Sequence, residues 1–323
     1  MTSRREVRLD HAVRCETILR EANDLFSKGG EDLVRGLMLF GDKLPNIVQA
    51  QEWLAAHSEE DERAAALCSN YPYVGELLVY LRFPPRDRIR WGEAALAAAR
   101  RINDRHAAAA HLHKLALAHM DLGDNDRAIR YLQEAVTINR EIDRPEYEAA
   151  DLGSLGLAYA ALGDHRGAIK FYKQALAIYR SIHARWGEGI YLSNLADSCT
   201  AIGKPRTAIV MHQAALRINR EVGDRRSEGY ALGNLAKAYA ALGDHARALE
   251  LFKENLAIAR ELVDPQSEAY AMFGSSRSLW EIGDRAGALA NAEAALEIFD
   301  GIEDVLAPRV REQLSRWHGI ESQ

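Results

Sequence analysis

The chain has 323 residues, 48% of them hydrophobic and 27% charged, and its formal net charge is −6. This mild negative charge argues against a nucleic-acid-binding protein, which usually displays a basic stripe. No apolar run approaches the ~18 residues of a membrane-spanning helix, and the opening stretch "MTSRREVRLDHAV" lacks the apolar core of a signal peptide. Three widely separated cysteines fit neither a disulfide framework nor a thiolate zinc site. We therefore expect a cytoplasmic protein that binds no membrane and no nucleic acid.

Helical segments are predicted first, over residues 9–70. Gly29 and Gly30 are expected to end one helix, and Pro45 is expected to begin another at its first turn. Residues 71–104 then resemble a degenerate repeat unit, because "WGEAALAAARRI" aligns with "YLQEAVTINREI" 40 residues later.

A repeat of 40 residues occupies the rest of the chain. Its most regular columns are a turn glycine and an alanine five residues later: Gly123, Gly163, Gly203, Gly243 and Gly283, with Ala128, Ala168, Ala208, Ala248 and Ala288. A period of this length predicts stacked supersecondary units. In each unit the glycine would end a first helix in the left-handed conformation, and the aspartate of "LGD" would cap a second helix.

The second and fourth units resemble the tetratricopeptide repeat (TPR) family. The signature residues are Leu152, Leu155, Gly156, Tyr159, Ala168, Tyr172 and Ala175, and then Leu232, Leu235, Ala236, Tyr239, Ala248 and Phe252. The long period resembles kinesin light chains and Rap-type bacterial regulators. This resemblance implies an all-α, right-handed TPR superhelix, an α-solenoid of five to six helical hairpins.

We predict three parts for this solenoid. A helical N-terminal segment with a degenerate repeat covers residues 1–104, and five 40-residue repeats cover residues 105–302. Residues 303–323 form a capping helix, because Val310, Leu314 and Trp317 share one helical face.

Two stretches before the array resemble bacterial STAND (NB-ARC or NACHT) signalling proteins. They are "LFGDKLPNIVQAQEWLAAH" and "AALCSNYPYVGELL". In that family the corresponding region joins a nucleotide-switch module to the repeats. No GxxxxGK[ST] loop is present, because the only Gly-Lys pair in the sequence, Gly203-Lys204, is followed by proline. The resemblance therefore implies a sensor region without its NTPase, with a separate nucleotide-switch protein as a partner.

No catalytic or cofactor-binding motif is visible, so we expect a non-enzymatic protein without a cofactor or metal. The sequence lacks HExxH, and His111 and His113 would point in different directions on a helix. All the histidines are predicted to lie on the surface. Arginines and glutamates also recur every 40 residues, and we expect them to pair across the turns: Arg140, Arg180, Arg220 and Arg260, with Glu148, Glu188, Glu228 and Glu268.

The binding site is predicted on the side of each first helix opposite the TPR signature. In TPR arrays that side lines a concave groove for peptides or partner helices. The candidate residues are Leu117, Leu157, Ile190, Asn194, Asp197, Tyr230, Asn234, Lys237, Tyr270 and Arg277. By resemblance to kinesin-light-chain TPRs, Asn194 and Asn234 would bind a peptide backbone; solvated side chains or a helix-to-helix hydrogen bond are the alternatives. The two leucines would either contact a ligand or pack between adjacent first helices.

The groove predicts a protein- or peptide-binding module. The leading hypothesis is the ligand-sensing part of a bacterial STAND-like signalling system. Two alternatives stay open: a stand-alone TPR regulator that sequesters a protein or senses a signalling peptide, and a non-catalytic subunit of an enzyme complex.

Overall fold

The computed structural model describes residues 3–321, which form 16 α-helices and no strand. The all-α fold class is thereby confirmed. The helices are α1 (Arg4–Lys28), α2 (Gly30–His57), α3 (Glu62–Val74), α4 (Glu76–Arg82), α5 (Pro85–Arg101), α6 (Arg105–Asp121), α7 (Asn125–Glu141), α8 (Pro145–Ala161), α9 (His165–Ser181), α10 (Arg185–Ala201), α11 (Pro205–Val222), α12 (Arg225–Ala241), α13 (His245–Glu261), α14 (Pro265–Glu281), α15 (Arg285–Gly301) and α16 (Ala307–Glu321).

The chain divides into two compact units, the first ending at Leu162 and the second beginning at Gly163. The first contains α1 to α8, and the second contains α9 to α16. The division into an N-terminal segment, a repeat array and a capping helix stays a prediction.

The predicted turn chemistry is confirmed in both units. All five turn glycines have positive φ angles, between 74° and 91°. The aspartate that comes next caps the second helix in four of the five turns: in the first, the Asp124 side chain accepts a hydrogen bond from the backbone N–H of Arg127. In the third repeat Lys204 stands in place of the aspartate, and Pro205 begins α11 at its first position. Each first helix therefore ends and each second helix begins where the sequence requires it.

Small side chains recur at one position of every second helix. The five alanines of the predicted column, Ala128, Ala168, Ala208, Ala248 and Ala288, are fully buried. A methyl group at this position lets two helices approach closely. In the N-terminal unit α6 packs against α7 in this way, and in the C-terminal unit the pairs are α10–α11, α12–α13 and α14–α15.

The core of the N-terminal unit contains an aromatic cluster around Trp91. The ring of Trp91 meets Phe83 edge-on with centroids 4.8 Å apart, and it meets Tyr71 at 6.3 Å. The Tyr71 hydroxyl donates a 2.7 Å hydrogen bond to the backbone carbonyl of Ala12. These contacts fix α5 against α3.

The prediction that Pro45 begins a helix is wrong. Gly29 and Gly30 separate α1 from α2 as expected, but α2 runs from Gly30 to His57 with Pro45 inside it. An internal proline costs a helix about 3 kcal/mol. Phe40 and Ile47, on either side of it, are almost completely buried, and this packing keeps the helix continuous.

The predicted pairs between arginine and glutamate are confirmed. In the N-terminal unit the guanidinium of Arg140 lies 2.6 Å from the carboxylate of Glu148. The three pairs of the C-terminal unit have N–O distances of 2.7–2.8 Å: Arg180–Glu188, Arg220–Glu228 and Arg260–Glu268. Because the arginine side chains are largely exposed, each pair contributes less than about 1 kcal/mol.

Helix α16 covers the last helix pair. Val310, Leu314 and Trp317 are buried in one cluster with residues of α14 and α15. The rings of Trp280 and Trp317 stack with centroids 4.5 Å apart. The face that the sequence assigned to packing is therefore the buried one.

A second set of left-handed residues lies after each second helix, and the sequence did not reveal it. Gly223 is the one glycine of this column; the other five have φ angles of 51–58°: Asn103, Asp143, His183, Val263 and Glu303. Asparagine and aspartate tolerate this conformation, but a β-branched residue is strained in it. Val263 is also 85% exposed, so it gains no packing in return.

We expect Val263→Gly to stabilise the protein. The substitution removes a left-handed strain of about 1–2 kcal/mol and adds about 0.5–1 kcal/mol of backbone entropy cost, which leaves a net gain of up to about 1.5 kcal/mol. Urea unfolding of both proteins measures the difference. Gly223→Val, at the equivalent turn, is the matched control and should be destabilising. A glycine variant less stable than the parent would contradict the assigned strain.

Candidate functional site

Asp197 is the centre of a polar network on the first helices of the C-terminal unit. Its Oδ1 lies 3.3 Å from Nε2 of His212 on α11, and its Oδ2 accepts a 3.0 Å hydrogen bond from the Asn234 amide on α12. Lys237, one turn further along α12, donates a 3.2 Å hydrogen bond to the Asn234 carbonyl oxygen. Four side chains from three helices are thus held in one row.

Tyr270 on α14 extends this row. The ammonium nitrogen of Lys237 lies 5.8 Å from the centroid of the Tyr270 ring, within the range of a cation–π interaction. The Tyr270 ring itself meets Phe299 edge-on, with centroids 5.3 Å apart. Burial lowers the pKa of Lys237, and the nearby Asp197 carboxylate partly opposes that shift. We call these five residues, His212, Asp197, Asn234, Lys237 and Tyr270, the groove network.

The amide of Asn234 is already partly used inside the protein. It donates one hydrogen bond to Asp197 and accepts one from Lys237. An amide side chain offers two N–H donors and two acceptor lone pairs, so one of each stays available. The helix-to-helix hydrogen bond considered from sequence is therefore present. The contact of Asn234, and of half-buried Asn194 on α10, with a peptide backbone stays a prediction.

A recess of about 280 Å³ opens beside the groove network. Its lining includes Tyr230, Asn234, Lys237 and Tyr270. Tyr230 is 50% exposed, so its ring is available to a ligand. Ile190, by contrast, is half-buried on α10. The structure thus brings four of the predicted residues together around one opening.

A larger pocket, of about 760 Å³, continues along α14. Lys237 and Tyr270 line both openings, so the two adjoin. Arg277 borders the larger pocket. Phe252 forms part of the wall beside Gly274: a Cβ atom at Gly274 would lie 2.4 Å from the Phe252 ring. The glycine is required for this close approach.

The start of α16 and the residue just before it supply two residues of the pocket that sequence reasoning missed. Leu306, just before the helix, and Arg309, in its first turn, both line the pocket. The helical face of Val310, Leu314 and Trp317 predicted packing alone. Arg309 lies outside that buried face, and this position was the signal in the sequence that Arg309 could line a pocket.

Leu117 and Leu157 lie in the N-terminal unit, on α6 and α8. Leu157 is 41% exposed, whereas Leu117 is half-buried. Their participation in one site with the residues of the C-terminal unit stays a prediction.

The prediction that all histidines lie on the surface is wrong. His111, His119 and His212 are at least 97% buried. His111 shares a 3.1 Å hydrogen bond with Ser69, and His119 stacks on Tyr131. His212 faces Asp197 and falls in the repeat column that contains Tyr172 and Phe252, so the 40-residue period contained the signal for its burial. Within residues 3–321 both ring nitrogens of His119 and of His212 are nevertheless buried without a hydrogen-bond partner, which is a cost to stability.

Helix α4 presents an apolar stripe in the N-terminal unit. Tyr73, at the end of α3, and Leu77, Tyr80 and Leu81 on α4 are each 43–60% exposed. The spacing of Leu77, Tyr80 and Leu81 places these three on one side of α4. The guanidinium of Arg88 lies 4.6 Å from the Tyr80 ring centroid. Exposed apolar side chains grouped in this way often mark an interaction surface.

Two further features bear on the class of site. Within residues 3–321 no group of three His, Cys, Asp or Glu side chains could hold a metal ion, and no helix is long and apolar enough to cross a membrane. All three cysteines are buried, and burial raises the pKa of the Cys68 thiol to about 12. A thiol with so high a pKa is a poor nucleophile at neutral pH.

A family model described as tetratricopeptide repeat matches four overlapping segments, residues 107–181, 148–221, 187–261 and 227–300. The chain therefore belongs to the tetratricopeptide repeat family. Its helix pairs are those of an all-α TPR solenoid, a fold that typically serves as a binding scaffold. No curated protein matches the chain.

Several solved structures share the fold. Aspartyl phosphate phosphatase F from Bacillus subtilis is 12% identical, with a TM-score of 0.62 over 96% of this chain and 94% of that one. A Rap protein complexed with competence and sporulation factor is 15% identical, with a TM-score of 0.59 over 97% of both chains. A STAND protein with a tetratricopeptide repeat sensor from Pyrococcus horikoshii is 15% identical, with a TM-score of 0.57 over 94% of this chain and 52% of that one.

We expect His111 to make the protein sensitive to acid. Burial, with a smaller contribution from Lys114, lowers its pKa to about 4. Because the unfolded value is about 6.5, the unfolded state binds the proton first, and stability present above pH 6.5 is lost as the pH falls towards 4. Between pH 7 and pH 4.5, His111→Gln should lose about 2 kcal/mol less unfolding free energy than the parent protein.

Urea unfolding at the two pH values measures this difference. The control is His106→Gln, which changes an exposed histidine on the same helix. If His111→Gln and the parent protein lose equal stability between the two pH values, His111 is not the group that titrates.

Proposed function

We propose that this chain is a non-enzymatic protein- or peptide-binding module that acts as the ligand-sensing part of a bacterial STAND-like signalling system. The observation that favours binding is the groove network with its two adjoining openings. Aromatic rings, a carboxylate and cationic side chains face the same opening, and tyrosine is enriched at binding hot spots. Several of these groups are fixed by neighbours, so little conformational entropy is lost when a ligand binds.

The solved structures of similar fold include proteins of the kind that we propose. One is a STAND protein with a TPR sensor, and another is a Rap protein complexed with a factor. At 15% identity each shows the fold alone, so the binding role is proposed from the geometry of this chain. A third is named as a phosphatase. We propose a non-catalytic role here because the openings combine aromatic and cationic groups, and the hydroxyl–carboxylate pair at the smaller recess, Ser267 with Asp264, belongs to the N-cap of α14.

A stand-alone regulator that senses a peptide is the second candidate. The same groove network favours it, because ligand binding in the groove does not by itself require a nucleotide-switch partner. The apolar stripe of Tyr73, Leu77, Tyr80 and Leu81 favours the sensor instead, since a sensor also needs a surface for the protein that it controls.

We expect Asn194→Ala combined with Asn234→Ala to weaken ligand binding. The probe is a peptide enriched from a random peptide library on the parent protein. Each lost neutral hydrogen bond costs about 0.5–1.5 kcal/mol, so affinity should fall roughly 5- to 150-fold if the two effects add. Isothermal titration calorimetry measures the dissociation constant, and thermal unfolding should be almost unchanged.

The matched control is Gln133→Ala with Gln174→Ala, which removes two amides from the second helices α7 and α9. Gln213 on the second helix α11 is not used as a control position, because its amide donates a 3.1 Å hydrogen bond to the Tyr239 hydroxyl. If the control loses binding and the asparagine variant does not, the ligand lies on the second helices.

We expect Leu77→Ser with Leu81→Ser to abolish docking of a nucleotide-switch protein. Both leucines are exposed in the α4 stripe, so the change removes apolar contact area without opening the core. The measurement is co-purification of a P-loop-containing protein from native lysate by the parent protein and by the variant. Peptide binding in the groove should be unaffected. Co-purification that survives the change would place the docking surface elsewhere.

A further inference from the structure

The larger pocket of the C-terminal unit has an excess of unpaired positive charge. Arg277 on α14 and Arg309 on α16 both line it, and both also line the next recess along α16. Neither guanidinium makes an ion pair or a hydrogen bond within residues 3–321. Their neighbours on α16 differ in this respect: Arg311 pairs with Asp300, and Arg316 pairs with Glu312.

The remaining charges of the pocket do not neutralise these arginines. Lys237 adds a third cation, and its hydrogen bond goes to the neutral amide of Asn234. Glu281 is the one carboxylate among the described lining residues. An opening with three cations and one anion favours an anionic group on its occupant.

The walls of the same pocket are apolar. Phe252, Tyr270, Phe273 and Leu306 contribute side chains to it. Phe252 can approach because Gly274 has no Cβ atom at that point. An inorganic anion would leave this apolar surface in contact with water, whereas an organic ligand with an apolar body would cover it.

We infer that this pocket is a carboxylate-binding subsite for a peptide that lies in the groove. Arg277 and Arg309 would bind the carboxylate from two sides, and an apolar part of the same peptide would rest on Phe252 and Phe273. Guanidinium groups suit this role, because their planar N–H donors match the two oxygens of a carboxylate. The inference rests on the proposed function and names the ligand chemistry.

The experiment uses a library of random octapeptides tethered by the N-terminus, prepared once with free C-terminal acids and once with C-terminal amides. It is selected on the full-length protein. Enriched peptides are then titrated against the parent protein, Arg277→Gln, Arg309→Gln and Arg311→Gln. The last variant is the matched control, since Arg311 lies on α16 like Arg309 but is paired with Asp300 of α15 and does not line the pocket.

We expect the parent protein to enrich peptides that contain a carboxylate beside an apolar residue. Arg277→Gln and Arg309→Gln should each bind them about 10- to 150-fold more weakly, the loss expected for hydrogen bonds to a charged group. Arg311→Gln should bind like the parent. A preference for free acids over amides identifies the C-terminal carboxylate as the source, whereas a Glu→Gln change in the peptide that abolishes binding identifies a side chain.

Three results would overturn the inference while leaving the proposed function standing. They are enriched peptides without acidic groups, unchanged affinity in both arginine variants, and a preference for phosphopeptides over carboxylates. Failure of the parent protein to enrich any peptide would contradict peptide binding itself. Since Arg277 and Arg309 are exposed, the variants should unfold at the parent's temperature, which thermal unfolding checks.

Discussion

A single helix pair cannot cover its own apolar stripe, and the rest of the structure depends on the contact that each pair makes with the next one. One cluster of the C-terminal unit shows the arrangement: Leu216 of α11 and Ile258 of α13 meet on Leu232 and Leu235 of α12. A first helix is thus held between two second helices. Because these contacts are local, a residue type that packs well in one repeat also packs well at the equivalent position of the other repeats. This explains the 40-residue period.

This packing leaves one side of each first helix free for other chemistry. Along α10 and α12 that side holds Asp197, Asn234 and Lys237. His212 links it to the interior, since its ring is buried at a core position of the repeat and its Nε2 faces Asp197. Tyr172 and Phe252 occupy the equivalent core positions in the neighbouring repeats. A polar residue in this column costs packing and places an imidazole nitrogen 3.3 Å from the Asp197 carboxylate.

The period made much of the fold predictable. The turn glycines, the interface alanines and the pairs such as Arg220–Glu228 recur at fixed spacing, so local rules suffice for them. Pro45 and Val263 could not be placed by the same rules. Local preference argues against Pro45 inside a helix and against Val263 in a left-handed turn, and in both cases the packing of the adjoining helices outweighs that preference.

The candidate site was predictable only in part. The side of the first helices follows from the signature spacing, and it led to Asn234, Lys237 and Tyr270, which do lie together. The pocket beside them could not be derived in this way, because it requires Arg309 from a helix outside the repeat pattern and the missing side chain of Gly274. Residues from unrelated segments meet there through tertiary structure.

The charges along the C-terminal unit also give the groove a direction. Asp197 lies at one end, where it accepts a hydrogen bond from Asn234, and its side chain is 48% exposed. Arg277 and Arg309 lie at the other end, beyond Lys237 and Tyr270. A ligand with opposite charges at its two ends would fit in one orientation and meet like charges in the reverse one. Like charges brought together cost several kcal/mol, so the groove would select the direction of a bound chain as well as its composition.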